Sequence, residues 1–200
     1  MFARAIPAAV FARRRRALLE RMGPGSIALL PAASETPRNR DVHHPFRQDS
    51  DFYYLTGFPE PEAIAVLAPG GEHEFLLFCR ERDPHMEIWH GRRAGPQGAM
   101  ERYGVDNAHP IAEIDKLLPP LLENRERVFY AIGYNSEFDR RMMGWLNQVR
   151  GKTRTGSHRG ARPRRRPRIP AVLPPTRPAY GNLAWPPRRT TGRDGTLWGG

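Results

Sequence analysis

The chain has 200 residues, and its formal net charge of +11 is unevenly placed: residues 1–150 balance at 20 Lys+Arg and 20 Asp+Glu, while 151–200 set 12 basic residues against the single acid Asp194. The lone Cys79 excludes an internal disulfide framework and a Cys-rich zinc site, and makes a reducing compartment, the cytoplasm, the expected location. The longest unbroken apolar run, 63–68, falls far short of the ~20 residues needed to cross a bilayer, so no membrane span is expected.

Residues 1–19 carry five Arg and no acid. A secretory signal places its basic residues ahead of the apolar run, whereas here the Ala-rich stretch 5–12 precedes Arg13 to Arg16. A mitochondrial presequence fits the composition, and so does an amphipathic helix from Ala8 to Met22. The helix places Val10, Phe11, Leu18, Leu19 and Met22 on one face and the Arg run on the other. Gly23-Pro24-Gly25 stops it. Residues 26–30 read as a short buried strand, followed by a polar loop over 32–49. The aromatic run 52–56 reads as a second strand closed by Gly57, and 63–67 and 75–79 as two more around the Pro69-Gly70-Gly71 turn. Glu87-Ile88-Trp89-His90 follows as an edge-strand segment, with Pro84 before it and the charged Gly91-Arg92-Arg93 after it. Helical pieces are expected near 97–103 and 111–123, a strand over 128–132, and a helix over 136–149 with Phe138, Met142, Trp145, Leu146 and Val149 at helical spacing. Strands and helices interleave without strict alternation, which predicts an α/β fold with a mixed β-sheet flanked by helices.

Beyond that domain the composition changes. Residues 151–200 hold eight Pro and eight Gly, a density that cannot bury a core, so 157–200 is expected to be a disordered Arg/Pro/Gly-rich tail. Its basic run 162–168, with Tyr180, Trp185 and Trp198, is the material for nonspecific nucleic-acid binding. The bland reading is a charge run with no selected partner.

No phosphate-binding glycine loop, nucleophile elbow or HExxH motif occurs. His85, Glu87 and His90 are the nearest approach to a metal-binding cluster. No two of His43, His44, His73, His85 and His90 stand at the i, i+4 helical spacing that converges on a metal, so no metal site is expected.

The stretch His44-Pro45-Phe46-Arg47-Gln48-Asp49-Ser50-Asp51-Phe52-Tyr53-Tyr54-Leu55-Thr56-Gly57-Phe58-Pro59-Glu60-Pro61-Glu62-Ala63 resembles the N-terminal domain signature of bacterial aminopeptidase P, the Xaa-Pro aminopeptidases of the creatinase/prolidase family. Glu87 to Arg93 and Arg14-Arg15-Arg16-Ala17-Leu18-Leu19 ahead of Gly25-Ser26 extend the likeness, which covers roughly residues 10–156. His44 departs from it, standing where a Tyr is common. The resemblance implies the fold of the family's N-terminal domain over 1–156, ahead of a catalytic domain whose two Asp, one His and two Glu hold a pair of divalent metals, usually manganese. None of that second domain is in this sequence. The expectation is therefore an oligomerisation and substrate-access domain for proline-containing peptides, a homo-oligomer, and no catalysis by this chain alone. By the same resemblance Asp41 restricts the cleft by charge pairing, Trp89 gives the substrate an apolar wall, and Arg154 reaches toward the entrance. Their bland counterparts are a solvated loop carboxylate for Asp41 and a sheet-edge aromatic for Trp89. The likeness stops abruptly after Arg154-Thr155-Gly156, and the Arg, Pro, Gly and Trp bias beyond is that of a GC-rich gene read out of frame, which predicts a frameshift near Gly156.

Overall fold

The computed structural model describes residues 6–39, 42–83, 85, 87 and 91–154. The expected tail, 157–200, lies outside the described residues.

Helix α1, Ala8–Met22, spans the expected range and ends where Gly23 takes a φ of 70°. Its buried residues are Phe11, Arg15, Leu19 and Met22. The Arg run is therefore not confined to the outer face: Arg13 and Arg16 are exposed, but Arg15 is only 7% exposed. Successive helical residues advance by ~100°, so four in a row sweep the whole circumference and one of them must face inward.

Strands β1 (Ser26–Pro31), β4 (Ile64–Leu67), β5 (Phe75–Cys79), β6 (Asn107–Pro110) and β7 (Arg127–Phe129) form one sheet in the order β6-β5-β4-β1-β7. The three inner strands pair antiparallel, and β6 and β7 add to the two edges in parallel. The sheet is mixed, as the interleaved pattern predicts. Apart from Ser26, whose hydroxyl donates to the Met22 carbonyl, the inner strands are apolar because helices cover both faces, and the period of two sorts their side chains. Ile27, Leu29, Ile64, Val66, Leu76 and Phe78 pack on one side with residues of α4 (Ile114–Leu122) and α5 (Ser136–Arg154). Ala28, Ala65, Leu67, Phe75, Leu77 and Cys79 pack on the other with α1, α2 (Ser50–Thr56) and α3 (Gly95–Tyr103). The result is a three-layer α/β sandwich with two cores, in which the spacing expected for α5 is buried throughout.

Several local expectations are corrected. The aromatic run 52–56 is helical, not extended. Asp49 Oδ1 caps α2 by accepting from the Phe52 N–H at 2.8 Å, and Phe52, Leu55 and Thr56 are buried at i, i+3 and i+4. Local β propensity thus yields to the cap and to the helical period. The polar loop contains a small antiparallel ribbon of β2 (Pro37–Asn39) and β3 (Val42–His43). Strand β6 comes from an unremarkable Asn-Ala-His-Pro segment recruited by β5. Strand β7 ends at Phe129, before the expected 132.

The edge-strand reading of 87–90 fails at its first residue, because His85 and Glu87 have helical backbone. Asp83 starts that turn: its side chain accepts from the His85 N–H at 3.0 Å and its carbonyl from the Glu87 N–H at 2.8 Å. An Asp that accepts from the N–H two residues on is a helix-start signal, which suits Asp83 here.

Cys79 is fully buried on β5, and its thiol is pushed up to about 12, first by burial and then by the nearby Glu60 charge. The thiolate is the reactive form. At pH 8 the native protein is expected to resist iodoacetamide while the urea-unfolded chain takes up one equivalent; prompt alkylation of the native state would contradict this burial. Among the described residues no helix is long and apolar enough to cross a membrane.

Candidate functional site

The structure gives the stretch 44–63 a mechanical explanation. Gln48 sits partly buried at its start, and every hydrogen-bonding capacity of its amide is used. Its Oε1 accepts from the N–H groups of Ala33 at 2.8 Å and Asp49 at 2.9 Å, and its Nε2 donates to the carbonyls of Glu60 at 2.7 Å and Phe58 at 3.4 Å. Helix α2 follows at once under the Asp49 cap. Thr56 closes it, donating its hydroxyl to the Phe52 carbonyl at 2.8 Å and accepting from the Phe58 N–H at 3.0 Å. Gly57 takes a left-handed φ of 68°, which turns the chain and lets Phe58 drop into the core. Its bare Cα faces the ring of Phe11 on α1.

Glu60 ends this run of contacts. Its Oε1 accepts from the Ala94 N–H at 2.6 Å, while its Oε2 is buried without a hydrogen-bond partner. Tyr103 lies close, with its phenol raised by burial and, second, by the Glu60 charge. The segment leading to Ala94 is tied a second time. Glu87 accepts from Arg82 Nε at 3.0 Å and from the Arg93 N–H at 3.3 Å. The Arg82 hydrogen bond is the main cause that holds the Glu87 carboxyl below the usual range.

Of the three residues carried over by resemblance, Asp41 lies outside the described residues, between β2 and β3 in sequence. Trp89 also lies outside them, between Glu87 and Gly91. Arg154 is the last residue of α5, and its side chain is outside the described set. What the structure does bring together are the anchors of the first two segments. Ala33 precedes the β2–β3 ribbon and bonds Gln48; Ala94 follows the Trp89 segment and bonds Glu60. Sequence reasoning quoted Gln48 and Glu60 only as parts of a motif. A partly buried Gln next to a helix cap, and a Glu between two prolines in an otherwise apolar turn, were the signals that could have marked them.

A separate cavity of about 170 Å³ opens beside the ends of β1 and β7, lined largely by apolar groups including Leu18, Leu30, Leu55 and Phe129. Among the described residues no group of three or more His, Cys, Asp or Glu could hold a metal ion. Glu87, which stands near His85 and His90 in sequence, is committed to Arg82 and Arg93.

The family described as "Aminopeptidase P, N-terminal domain" matches residues 11–130. Xaa-Pro aminopeptidase of Escherichia coli is 48% identical over 125 residues, covering 62% of this chain but 28% of that protein. The Xaa-Pro aminopeptidase of Haemophilus influenzae is 40% identical over 126 residues, with 62% of this chain and 29% of that one covered. Among solved structures, aminopeptidase PepP of Pseudomonas aeruginosa superposes with a TM-score of 0.77 at 54% identity, covering 84% of this chain and 37% of that one. The zinc-substituted E. coli aminopeptidase P in complex with product gives a TM-score of 0.74 at 40% identity, with 83% and 37% covered. The chain thus spans less than two fifths of the length of each of these relatives.

Proposed function

Since the chain belongs to the aminopeptidase P family, through its N-terminal domain, we propose that it is the oligomer-forming and substrate-access part of an Xaa-Pro aminopeptidase. In this reading it carries no peptidase chemistry of its own. The observation that carries the reading is the placement of the match: residues 11–130 pair with the family's N-terminal domain, and the E. coli relative extends far beyond the 28% covered. A scaffold whose signature residues tie down two neighbouring segments suits a part that shapes the way into a site.

Within this reading Asp41 narrows the cleft of a complete enzyme by charge pairing, Trp89 presents an apolar wall to the peptide, and Arg154 extends toward the entrance. The ligands are peptides with proline in second position, and the chain acts as a homo-oligomer in the cytoplasm. Among the described residues no group of three or more His, Cys, Asp or Glu could hold the family's pair of divalent metals, manganese in this proposal. The chain's own contribution is positional. Residues 157–200 are proposed as a segment distinct from the domain.

The test is an assay of the purified chain on an Xaa-Pro peptide with and without manganese. No release of the first residue is expected. Metal-dependent turnover that co-purifies with the chain would overturn the proposal.

A further inference from the structure

Two anchors that are far apart in sequence meet on one connected set of bonds. From β1 the chain passes Ala32, whose N–H bonds the Ala63 carbonyl at 2.7 Å, and Ala33, whose N–H bonds Gln48 Oε1. It then enters the ribbon closed by the His44 N–H on the Thr36 carbonyl at 3.0 Å. On the other side of Gln48, the same amide grips the Glu60 carbonyl at 2.7 Å, and the Glu60 carboxylate holds the Ala94 N–H at 2.6 Å. Ala94 is 3% exposed, so water does not replace that bond if it is lost. The Gln48 amide has one orientation only, since reversing it would set its NH2 against two N–H donors and its oxygen against two carbonyls. Charge assistance makes the Glu60 contact the strongest link in the path.

We propose that Gln48 and Glu60 act together as a positioning clamp, fixing the segment that begins at Ala33 and the segment that ends at Ala94 relative to one another. Both are positioning residues. The proposal rests on the substrate-access reading for its purpose, but not for its physical content. Its distinctive consequence is coupling: the four hydrogen bonds of the Gln48 amide do not reach Ala94, yet removing that amide frees the Glu60 backbone and so loosens the Ala94 bond.

Backbone amide exchange of the whole 200-residue chain reads this directly. Gln48→Met is expected to speed exchange at Ala33, Asp49 and Ala94 by about tenfold or more, with Val66 and Leu77 in the central strands unchanged. Gln48→Glu keeps an acceptor for Ala33 and Asp49 but opposes the Glu60 carbonyl, so Ala94 alone should speed up. Glu60→Leu should accelerate Ala94 by about ten- to a hundredfold, the size of a lost charged hydrogen bond, and Glu60→Gln, which keeps an acceptor, should restore most of the protection. An unchanged Ala94 in both Gln48 variants overturns the clamp. So does a rise shared equally by Val66 and Leu77, or a Glu60→Gln protein that exchanges as fast as Glu60→Leu. No peptidase activity is read, so failure of the clamp and failure of the access reading are separate results.

Discussion

Arg15→Ala is expected to lower the unfolding free energy by about 2–4 kcal/mol, because two buried carbonyls lose their donor at about 1–3 kcal/mol each while the desolvation of the charge is relieved. Arg15 lies on the inner face of α1, with its guanidinium 4.2 Å over the Phe75 ring. It donates to the Leu55 carbonyl at 3.0 Å and to the Gly104 carbonyl at 3.2 Å. Those carbonyls belong to the last turn of α2 and the C-cap of α3, where helices leave acceptors unpaired and the dipole favours a cation. One side chain therefore joins three helices on one face of the sheet. Burial lowers the Arg15 pKa and Asp106 partly opposes this, but an arginine stays charged across the working pH range. Alanine leaves two carbonyls without their donor and a gap beside Phe75. Lysine keeps the charge but not the planar fork, so Arg15→Lys should recover less than half of the loss. Urea unfolding measures the difference, and a loss below about 1 kcal/mol would show that the guanidinium only decorates the interface.

Gly57→Ala is expected to cost about 2–4 kcal/mol, from two sources that add at one atom. A left-handed φ costs an L-residue about 1–2 kcal/mol, and a Cβ built here falls 2.7 Å from Cε2 of Phe11, which is itself buried and packed edge-on against Tyr53. Either the ring or the α1–α2 contact has to shift. Gly144→Ala is the control. Gly144 lies in α5 with ordinary helical backbone and open space around its Cβ position, so alanine there should stabilise by about 0.5–1 kcal/mol. Equal effects at the two positions would mean that the turn at Gly57 tolerates rearrangement.

The sheet and its long helices were legible because their apolar patterns are long or strongly periodic. Helix α1 matches its expected bounds, and α5 buries each of its five expected residues. Segments whose structure is decided by a partner were not legible. Asn107–Pro110 is a strand because β5 offers it an edge, and Ser50–Thr56 is a helix because Asp49 caps it and the core takes Phe52 and Leu55. The inward turn of Arg15 follows from helix geometry, but its targets lie 40 and 89 residues away in sequence. For the candidate site the motif was visible and its mechanics were not. The bonds of Gln48 and Glu60 go mostly to backbone groups distant in sequence, and backbone groups leave no mark on local composition.

The most direct test of the account is Xaa-Pro peptide cleavage by a chimera in which residues 1–154 of this chain replace the corresponding N-terminal region of the E. coli Xaa-Pro aminopeptidase. The domains are 48% identical over 125 residues, so the parts are expected to fit. With manganese supplied, the account predicts a folded chimera that cleaves the bond before proline and whose KM rises when Trp89 is changed to Ala. A chimera that folds and binds metal yet cleaves nothing, or whose KM ignores Trp89→Ala, would contradict it.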